Sequence, residues 1–379
     1  MKIACLAPSK VPSTTANSIQ VMKVCQSLAQ IGHTVQLWLP GEDHHPWEHL
    51  AAHYGLTTPF EISRLRSEPS LKRYDLSVRG VAAARQWSAD VLYTWLPQAA
   101  WWASRQGLPT LLELHDRPTG RLGPRLLRWF AASRTPHRLL FITQALRRAL
   151  EAEFNLRVPE AQAVIAPDGV DLERYLHLPA ATELRPQLGL PAGLLALYTG
   201  HLYPGRGMQV LEYLAQHLPQ VNFVWLGGRP ADVAYWRQRA AEMGLRNLQV
   251  LGFIENRLIP AYQSAADVLL MPYERVITTS SGGNTADICS PMKMFEYMAA
   301  GRAILSSDLP VLREVLNEQN AILLPPDEPE AWGAALQRLM GEESLRQGLG
   351  RRARTDVQAY TWQSRAQRCL QGFGFMEDR

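Results

Sequence analysis

The chain has 379 residues, which is enough for two domains that each bury a hydrophobic core. Its composition, with 46% hydrophobic and 20% charged residues, is typical of a globular protein, and no run of 18 apolar residues predicts a membrane-spanning helix. The net charge of +4 is too small to indicate nucleic-acid binding. Four scattered cysteines without CxxC spacing indicate reduced thiols, and not a disulfide framework or a zinc site.

The apolar start of the chain predicts a first β-strand over residues 3–7. No small-residue cleavage site follows it, so we expect no signal peptide and a cytoplasmic location. A helix is predicted over 19–31, ending at Gly32. Further strands are predicted at 35–39, 91–95, 110–113, 139–142, 164–165, 194–198, 222–226, 248–251, 268–271, 303–305 and 322–324.

Strands that alternate with helices indicate βαβ units and parallel sheets, so the pattern predicts an α/β protein with two doubly wound domains. A turn-rich segment at 188–191 precedes the second set of strands. We expect an N-terminal domain over residues 1–178 and a C-terminal domain over 179–360, with a helix at 361–379 packing back on the first. Ligands of such sheets bind at the carboxyl ends of the strands, so two facing domains would form a cleft.

A predicted helix that begins near Ser290 has features of an anion site. Ser290 is a favourable N-cap, and Pro291 suits the first helical position. Lys293 falls in the first turn, where the helix dipole disfavours a cation by about 0.3–1 kcal/mol, so a phosphate there would compensate its charge. Glu296 lies almost one turn further on and can accept hydrogen bonds from sugar hydroxyls, so a nucleotide sugar suits both groups. Alternatively, Lys293 points to solvent and pairs with Glu296.

Residues 199–207 form a glycine-rich loop between a predicted strand and a predicted helix. Glycines allow the backbone to approach a pyrophosphate closely, and Arg206 can bind phosphate oxygens in a bidentate manner. An ordinary tight turn between a strand and a helix has a similar composition.

Other segments favour two interpretations each. The basic, amphipathic segment from Arg121 to Arg138 suits either an anionic membrane surface or a core-facing helix with a solvated basic face. The Gly/Ser/Thr-rich segment 275–289 suits a loop that closes over a ligand or an ordinary connection.

The tryptophans at 95, 101 and 102 suit a surface on which an acceptor stacks or, more simply, core packing. The histidines at 44, 45 and 49 lack metal-ligand spacing, so no metal is expected.

Several of these pieces together resemble one enzyme family. They are residues 3–8, 29–33, 113–116, 165–171, 200–207, 226–228 and 291–301. In order and spacing the chain resembles the retaining glycosyltransferases of family 4, which have the GT-B arrangement of two Rossmann-like domains facing across a cleft. It is most similar to the bacterial branch whose donor-site helix begins Ser-Pro-x-Lys-x-Phe-Glu-Tyr-Met-Ala.

The resemblance implies a donor site in the second domain. Its residues would be Gly200, His201, Arg206, Gly252, Phe253, Ile254, Ser290, Met292, Lys293 and Glu296. Glu296 would bind the nucleotide ribose, and Arg206 would contact the diphosphate. The main chain of 252–254 would hold the base.

The resemblance also implies an acceptor side in the first domain. There, His115 would reach the donor sugar and the acceptor next to Asp116, and the loop containing Ser13, Asn17 and Ser18 would lie by the acceptor and the diphosphate. His115, Arg206 and Lys293 are thus the candidate catalytic residues. No permanently bound cofactor and no metal is implied.

Two positions depart from the family pattern. Ile288 stands where a first glutamate is common, with Asp287 beside it, and His201 stands where an arginine usually follows the first loop glycine. If the chain compensates for these two changes, Asp287 would supply the sugar contact and Lys293 would supply the positive charge.

The implied function is transfer of a sugar from a UDP- or GDP-sugar to a saccharide or lipid-linked acceptor, with retention, in polysaccharide or glycolipid biosynthesis. The protein would be cytoplasmic or peripheral on the inner face of the cytoplasmic membrane. A non-catalytic nucleotide-sugar-binding or scaffold subunit and a sugar-nucleotide epimerase remain alternatives. A dehydrogenase is disfavoured because no GxGxxG follows the first strand, and no carboxylate pair suggests a glycosidase.

Overall fold

The computed structural model describes residues 1–277 and 284–373. It divides the chain into two compact units. Unit 1 contains Met1–Asp168 and the segment that begins at Trp362, and unit 2 contains Gly169–Thr361. No helix within the described ranges is long and apolar enough to cross a membrane.

Unit 1 is built on a seven-stranded parallel sheet with the order β3-β2-β1-β4-β5-β6-β7. Its strands are β1 (Lys2–Leu6), β2 (Thr34–Pro40), β3 (Glu61–Leu65), β4 (Val91–Thr94), β5 (Thr110–Leu114), β6 (His137–Phe141) and β7 (Ala163–Ile165). β1 lies between β2 and β4, where Ile3 pairs with Val35 on one side and Val91 on the other. Because all strands run in one direction, the loops at their carboxyl ends meet at one edge of the sheet.

Helices connect these strands. They are α1 (Ala16–Gln30), α2 (Trp47–Tyr54), α3 (Tyr74–Gln86), α4 (Pro97–Arg105), α5 (Gly123–Ala131) and α6 (Gln144–Glu153). The Thr15 side chain caps α1 by accepting a hydrogen bond from the Ser18 amide. The late helix α14 (Trp362–Leu370) also belongs to unit 1 and packs on α1.

Unit 2 repeats the design with a six-stranded parallel sheet of order β10-β9-β8-β11-β12-β13. Its strands are β8 (Leu195–Thr199), β9 (Asn222–Leu226), β10 (Leu248–Gly252), β11 (Val268–Met271), β12 (Ala303–Ser307) and β13 (Ile322–Leu324). Its helices are α7 (Ala181–Gln187), α8 (Met208–His217), α9 (Pro230–Glu242), α10 (Ile259–Ala265), α11 (Met292–Ala300), α12 (Pro329–Gly341) and α13 (Glu343–Asp356). β8 is central and fully buried, so the loop after it starts from a rigid base.

The prediction of an α/β protein with two doubly wound, Rossmann-like domains is confirmed by these two sheets. Contacts divide the chain after Asp168, whereas the sequence places the boundary after residue 178. The intervening segment packs inside unit 2: the Val170 amide donates to the Tyr360 carbonyl at 3.0 Å, and Tyr175 is 4% exposed.

Two features differ from the sequence expectation. β3 was not predicted, because all its residues are exposed or only half-buried at the edge of the sheet and its sequence lacks a continuous apolar run. The predicted closing loop at 275–289 has its centre, residues 278–283, outside the described residues, and so has the predicted C-terminal helix beyond 373.

Candidate functional site

The glycine-rich loop of unit 2 joins the carboxyl end of β8 to α8. Gly207 begins α8 with φ +72°, and a Cβ atom there would lie 1.7 Å from the Pro272 carbonyl oxygen. The Gly207 amide donates to Glu274 Oε1 at 3.1 Å. Because a side chain at position 207 would meet a backbone atom, this glycine is required by the close approach of two loops.

Lys293 reaches this loop from the first turn of α11. Its Nζ lies 4.3 Å from the centre of the Tyr198 ring and 5.1 Å from that of Tyr273. A Cβ on Gly200 would lie 2.6 Å from the same Nζ, so the loop passes directly against the ammonium. The two rings hold the cation by its attraction to their π faces.

Arg206 also lies against the Tyr273 ring. Its Cζ is 5.2 Å from the Tyr273 ring centre and 5.3 Å from that of Tyr203, and Nη2 donates to the Tyr203 hydroxyl at 3.2 Å. Its Nε is buried and hydrogen-bonds no described atom. Within the described ranges neither Arg206 nor Lys293 forms an ion pair, so no described carboxylate neutralises their charges.

The electrostatics of Lys293 follow from this arrangement. Burial lowers the pKa of its ammonium well below the ordinary value, and the positive charge of Arg206 lowers it further, while Glu296 opposes the shift. Two cations held together on aromatic faces favour an anion that would sit between them. A perturbed charge of this kind is typical of a functional site.

Glu296 lies one turn further along α11, and one of its two carboxylate oxygens accepts a hydrogen bond from the protein. Gln263 Nε2 donates to Glu296 Oε2 at 3.2 Å, and the Tyr175 hydroxyl donates to Gln263 Oε1 at 2.7 Å, which fixes the orientation of the amide. No described residue hydrogen-bonds Glu296 Oε1. That oxygen can accept hydrogen bonds from a ligand's hydroxyl groups.

The ends of three neighbouring strands are tied together beside these residues. The Gly200 amide donates to the Leu226 carbonyl at 2.8 Å, and the Gly227 amide donates to the Gly252 carbonyl at 2.6 Å. After Gly252, which ends β10, Phe253 has 62% of its surface exposed. The structure therefore aligns the predicted base-binding segment 252–254 with the Gly200 loop at one edge of the sheet, with Ile254 half-buried.

The start of α11 requires a correction. The sequence predicts Ser290 as N-cap and Pro291 as the first helical residue, but α11 begins at Met292, and Pro291 is its N-cap. Pro291 can extend the chain into the helix but offers no side-chain oxygen, so the capping prediction for Ser290 is wrong. Ser290 is 8% exposed. Lys293 remains in the first turn, as predicted.

The two departures from the family pattern have distinct surroundings. His201 stacks on Tyr203, with ring centres 5.0 Å apart, and the nearby positive charges of Arg206 and Lys293 add to burial in lowering its pKa. Burial is the larger cause. Ile288 is 1% exposed and packs as a core residue, whereas Asp287 is exposed. The compensation by Asp287 stays a prediction.

In unit 1 the predicted His115 follows β5 directly and contacts a buried carboxylate. His115 Nε2 lies 2.6 Å from Glu113 Oε1, and the His115 side chain is 28% exposed. Arg365 of α14 donates from Nη2 to the same Oε1 at 2.6 Å. Gln20 donates to Oε1 as well, and the Tyr93 hydroxyl donates to Oε2.

This network sets the charges around His115. Burial opposes ionisation of Glu113, but Arg365 and His115 outweigh it and lower its pKa to about 2. Burial likewise opposes the charge of His115, but Glu113 and Asp168 raise its pKa overall, although Arg365 opposes them. Burial raises the pKa of Asp168 to about 6. His115 is thus the half-exposed end of a buried charged cluster.

The remaining predicted acceptor residues lie in or near the loop after β1 and beside His115. Ser18 is fully buried, and its hydroxyl lies 2.8 Å from the Ser13 carbonyl oxygen and 3.0 Å from that of Thr15. The exposed Asn17 accepts a hydrogen bond from Ser9. Asp116 accepts from the Arg117 amide at 2.7 Å. Ser18 shapes the loop, and acceptor contacts of these residues stay predictions.

Some site residues were not predicted from the sequence. Tyr203 and Tyr273 lie far apart in the chain, and nothing in the pattern joins them. Arg365 did leave a signal: it lies next to Ala366 on the apolar face defined by Trp362 and Cys369, and a charge on such a face calls for a buried partner.

The alternative candidates are placed as follows. Across the described part of the chain no group of three His, Cys, Asp or Glu side chains is arranged to hold a metal. His45 and His49 lie beside each other, with ring centres 5.8 Å apart. Trp95 is 9% exposed and packs on Tyr93 at 5.0 Å between ring centres, which favours a core role.

Each unit matches a known protein family. Residues 18–174 match the family Glycosyltransferase Family 4, and residues 194–342 match the family Glycosyl transferases group 1. The phosphatidyl-myo-inositol mannosyltransferase of Mycolicibacterium smegmatis is 25% identical over 96% of this chain and 90% of its own length. The D-inositol 3-phosphate glycosyltransferase of Xylanimonas cellulosilytica is 30% identical over 53% of this chain and 48% of its own length.

Solved structures show the same fold at low identity. HepE of Anabaena, solved in complex with UDP, superimposes with a TM-score of 0.75 at 18% identity, over 98% of this chain and 99% of its own. A glycosyltransferase of Rickettsia africae gives a TM-score of 0.77 at 11% identity, over 97% and 96% of the two chains. The first half of the chain therefore has a glycosyltransferase family 4 domain, and the second half has a glycosyl transferases group 1 domain.

Proposed function

We propose that the protein transfers a sugar from a UDP- or GDP-sugar to a saccharide or lipid-linked acceptor, with retention of the anomeric configuration. The observation that carries the proposal is the pair Arg206 and Lys293. Both cations rest on aromatic rings at the carboxyl end of β8 and the start of α11, and neither has a carboxylate partner among the described residues. A nucleoside diphosphate supplies the missing negative charge.

In the proposed donor site, different residues bind the diphosphate, the ribose and the base of the nucleotide sugar. Arg206, the Lys293 side chain and the backbone amides of Met292 and Lys293 at the start of α11 hold the diphosphate. Glu296 Oε1 accepts from the ribose hydroxyls, and segment 252–254 lies along the base. Ser290, Gly200 and His201 line the phosphate and sugar end.

The catalytic contribution of these groups is electrostatic. As the bond from the anomeric carbon to the diphosphate breaks, negative charge grows on the leaving phosphate, and fixed cations and helix amides stabilise it. Since the cations are already in place on their rings, little reorganisation accompanies the reaction. Retention follows from attack by the acceptor hydroxyl on the face that the diphosphate leaves.

The names of the relatives support the class of substrates. HepE has been solved with UDP, and the mannosyltransferase of M. smegmatis is named for a phosphatidyl-myo-inositol substrate. We propose a role in polysaccharide or glycolipid assembly, with His115 and Asp116 beside the acceptor and Ser13 and Asn17 at the loop that Ser18 shapes. No permanently bound cofactor or metal takes part in this scheme.

We also propose that unit 1 touches an anionic membrane surface from the cytoplasmic side. In α5, Leu126, Leu127 and Phe130 are buried, so most of the apolar residues face the core. Trp129 nevertheless has 51% of its surface exposed, and Leu122 has 45%. Exposed Arg121, Arg125 and Arg128 surround them, a combination suited to anionic lipid headgroups.

The function is tested first by a donor screen. Thermal shifts with a panel of UDP- and GDP-sugars identify the donor, because a ligand that prefers the native state raises its apparent stability. The donor is then incubated with lipid-linked and saccharide acceptors, and the anomeric configuration of the product is read by NMR. We expect an acceptor-dependent product with the configuration of the donor.

Other results would contradict the proposal in distinct ways. An altered nucleotide sugar formed without any acceptor would identify an epimerase. Donor binding with no turnover on any acceptor would favour a non-catalytic subunit, and an inverted product would exclude retention.

The membrane contact is tested by sedimentation with vesicles that contain anionic lipid. Trp129→Ala should reduce the bound fraction, since it removes the exposed ring, whereas Tyr235→Ala removes a ring of 56% exposure from unit 2 and should not. Equal binding of wild type to neutral vesicles would contradict the role of charge.

A further inference from the structure

Among the described carboxylates of unit 1, Glu113 has the largest number of hydrogen-bond partners. It is 1% exposed at the end of β5. Oε1 accepts from Arg365 Nη2 at 2.6 Å and from Gln20, and Oε2 accepts from the Tyr93 hydroxyl. A buried carboxylate with this many donors has one stable orientation.

Arg365 is itself fixed. Its Nε lies 2.9 Å from the Pro167 carbonyl oxygen and 3.3 Å from that of Ala166, and Nη1 donates to the Tyr93 hydroxyl at 3.1 Å. The side chain is 3% exposed. The position of Glu113 is therefore set from β4, α1 and α14 at once, and it does not depend on a ligand.

Among the described partners of Glu113, His115 is the one that reaches the surface. Its Nε2 lies 2.6 Å from Glu113 Oε1. An ionised carboxylate only accepts, so Nε2 carries the proton of this hydrogen bond. The other ring nitrogen, Nδ1, hydrogen-bonds no described residue, and the side chain is 28% exposed.

We propose that Glu113 is a positioning residue of the transfer reaction: it holds His115 as the Nε2–H tautomer and presents Nδ1 to a hydroxyl group of the acceptor. This inference rests on the glycosyl transfer proposed above. The neutral ring then offers a lone pair at Nδ1, and the protonated ring offers a donor there. In both states the ring orientation is the one that Glu113 imposes.

The charges that face His115 come from three elements. Glu113 on β5 and Asp168 after β7 raise its pKa, whereas burial, the largest single cause, and Arg365 on α14 lower it, and the sum is a raised pKa. Removal of the negative charge of Glu113 therefore lowers the pKa of His115. A change confined to packing would leave that pKa in place.

The tautomer is tested on the ligand-free protein by nitrogen NMR of the histidine rings. Comparison with His115→Gln identifies the signals of His115. We expect the neutral ring to carry its proton on Nε2, and a proton on Nδ1 would overturn the proposal. Because this measurement uses no substrate, it stands even if the transfer reaction proves to be a different one.

The positioning role is tested with Glu113→Gln, which keeps an acceptor oxygen but removes the charge. We expect kcat to fall about tenfold or more, part of the roughly 10²–10⁴-fold that acid–base groups contribute, with the donor KM within about twofold. The apparent pKa of the pH–rate profile should move to lower pH. Glu151→Gln removes another arginine-paired carboxylate of unit 1, next to Arg147, and should keep the wild-type kcat and profile.

An unchanged kcat and an unchanged pH profile in Glu113→Gln would overturn the positioning role. If that variant does not fold, the NMR measurement on the wild-type protein still decides, since it requires no substitution at position 113. Normal donor binding with no transfer by the wild type would contradict the proposed function, and not the tautomer.

Discussion

The ammonium of Lys293 lies 4.3 Å from the centre of the Tyr198 ring, with no carboxylate paired to it among the described residues. A ring face attracts a cation but leaves its charge unneutralised. The centre of the Tyr273 ring lies 5.1 Å from Lys293 Nζ and 5.2 Å from Arg206 Cζ, so this ring attracts both cations. The second domain therefore holds two positive charges ready for an anionic ligand.

Replacing Lys293 by Met should separate stability from binding. The free protein should become more stable, because a partly buried charge without a described carboxylate partner is removed from beside the tyrosines. Affinity for the nucleotide sugar should fall at least tenfold, since a hydrogen bond to a charged group contributes about 1.5–3 kcal/mol. Thermal unfolding and calorimetric titration measure the two effects.

Lys2→Met is the matched control. Lys2 also lies over an aromatic ring, 5.4 Å from the centre of Trp87, but it is exposed and lies in unit 1. Lys2→Met should change neither the stability of the free protein nor its affinity for the nucleotide sugar appreciably. A Lys293→Met variant that binds donor like the wild type would contradict the site.

Binding of a nucleoside diphosphate should take up protons at alkaline pH. In the free protein, burial and the charge of Arg206 lower the pKa of Lys293, so the amine loses its proton below the ordinary value of 10.5. A diphosphate beside it favours the charged form and raises that pKa again. Titrations in buffers of different ionisation enthalpy measure the uptake, which should vanish in Lys293→Met. Proton release on binding would show that the sign is wrong.

Glu296→Gln should distinguish the nucleoside from the diphosphate. Glu296 is predicted to accept from ribose hydroxyls, so the variant should bind UDP or GDP more weakly, by about 1.5–3 kcal/mol for a lost charged hydrogen bond. Inorganic pyrophosphate, which has no ribose, should bind as to the wild type. Competition titrations with the two ligands compare them, and equal losses for both would refute the assignment to ribose.

Gly207→Ala should damage the donor loop more than its backbone angle alone explains. Gly207 and Gly244 have φ of +72° and +65°, but only a Cβ at position 207 meets another atom, the Pro272 carbonyl oxygen at 1.7 Å. Gly244→Ala should cost about 1–2 kcal/mol for the left-handed conformation and keep donor binding. Gly207→Ala should be less stable than that and should bind donor poorly. Equal behaviour of the two variants in urea unfolding would remove the argument.

Arg365→Leu should be strongly destabilising, because it removes the buried arginine that pairs with the buried carboxylate of Glu113, at a cost of about 3–5 kcal/mol. The double variant Arg365→Leu/Glu113→Leu should recover part of the loss. The pKa of Glu113, lowered from 4.5 to about 2, makes its stabilisation complete above pH 4.5 and progressively lost as the pH falls through about 2. Urea unfolding of Arg365→Leu, Glu113→Leu and the double variant across that pH range checks the coupling. A loss in the double variant equal to the sum of the losses in the two single variants would contradict it.

The sequence predicts well what depends on local pattern. β9, β11 and β13 were predicted with their observed bounds, since each contains a continuous apolar run. β3 was missed because its sequence has no continuous apolar run and its side chains are exposed or half-buried at the sheet edge. α11 begins one residue later than predicted. Serine is a favourable N-cap residue, but Pro291, and not Ser290, occupies that position.

The candidate site was predictable only in part. Lys293, Arg206 and Glu296 could be named because each belongs to a short motif at a strand end or a helix start. Tyr273, which lies against both cations, follows a different strand and belongs to no motif. The partners of Glu113 come from three elements far apart in the chain, so only the folded structure joins them.

The central claim is that Arg206 and Lys293 together hold the diphosphate of the donor. Calorimetric titration of UDP, GDP and inorganic pyrophosphate into the wild type and into Arg206→Ala/Lys293→Ala tests it most directly, with Arg229→Ala as control. Arg229 lies 5.7 Å from the Tyr203 ring centre but is paired with Asp232 at 2.9 Å. We expect the double variant to lose binding of the nucleotide and of pyrophosphate while Arg229→Ala binds nearly as the wild type does. A double variant that titrates like the wild type would contradict the account.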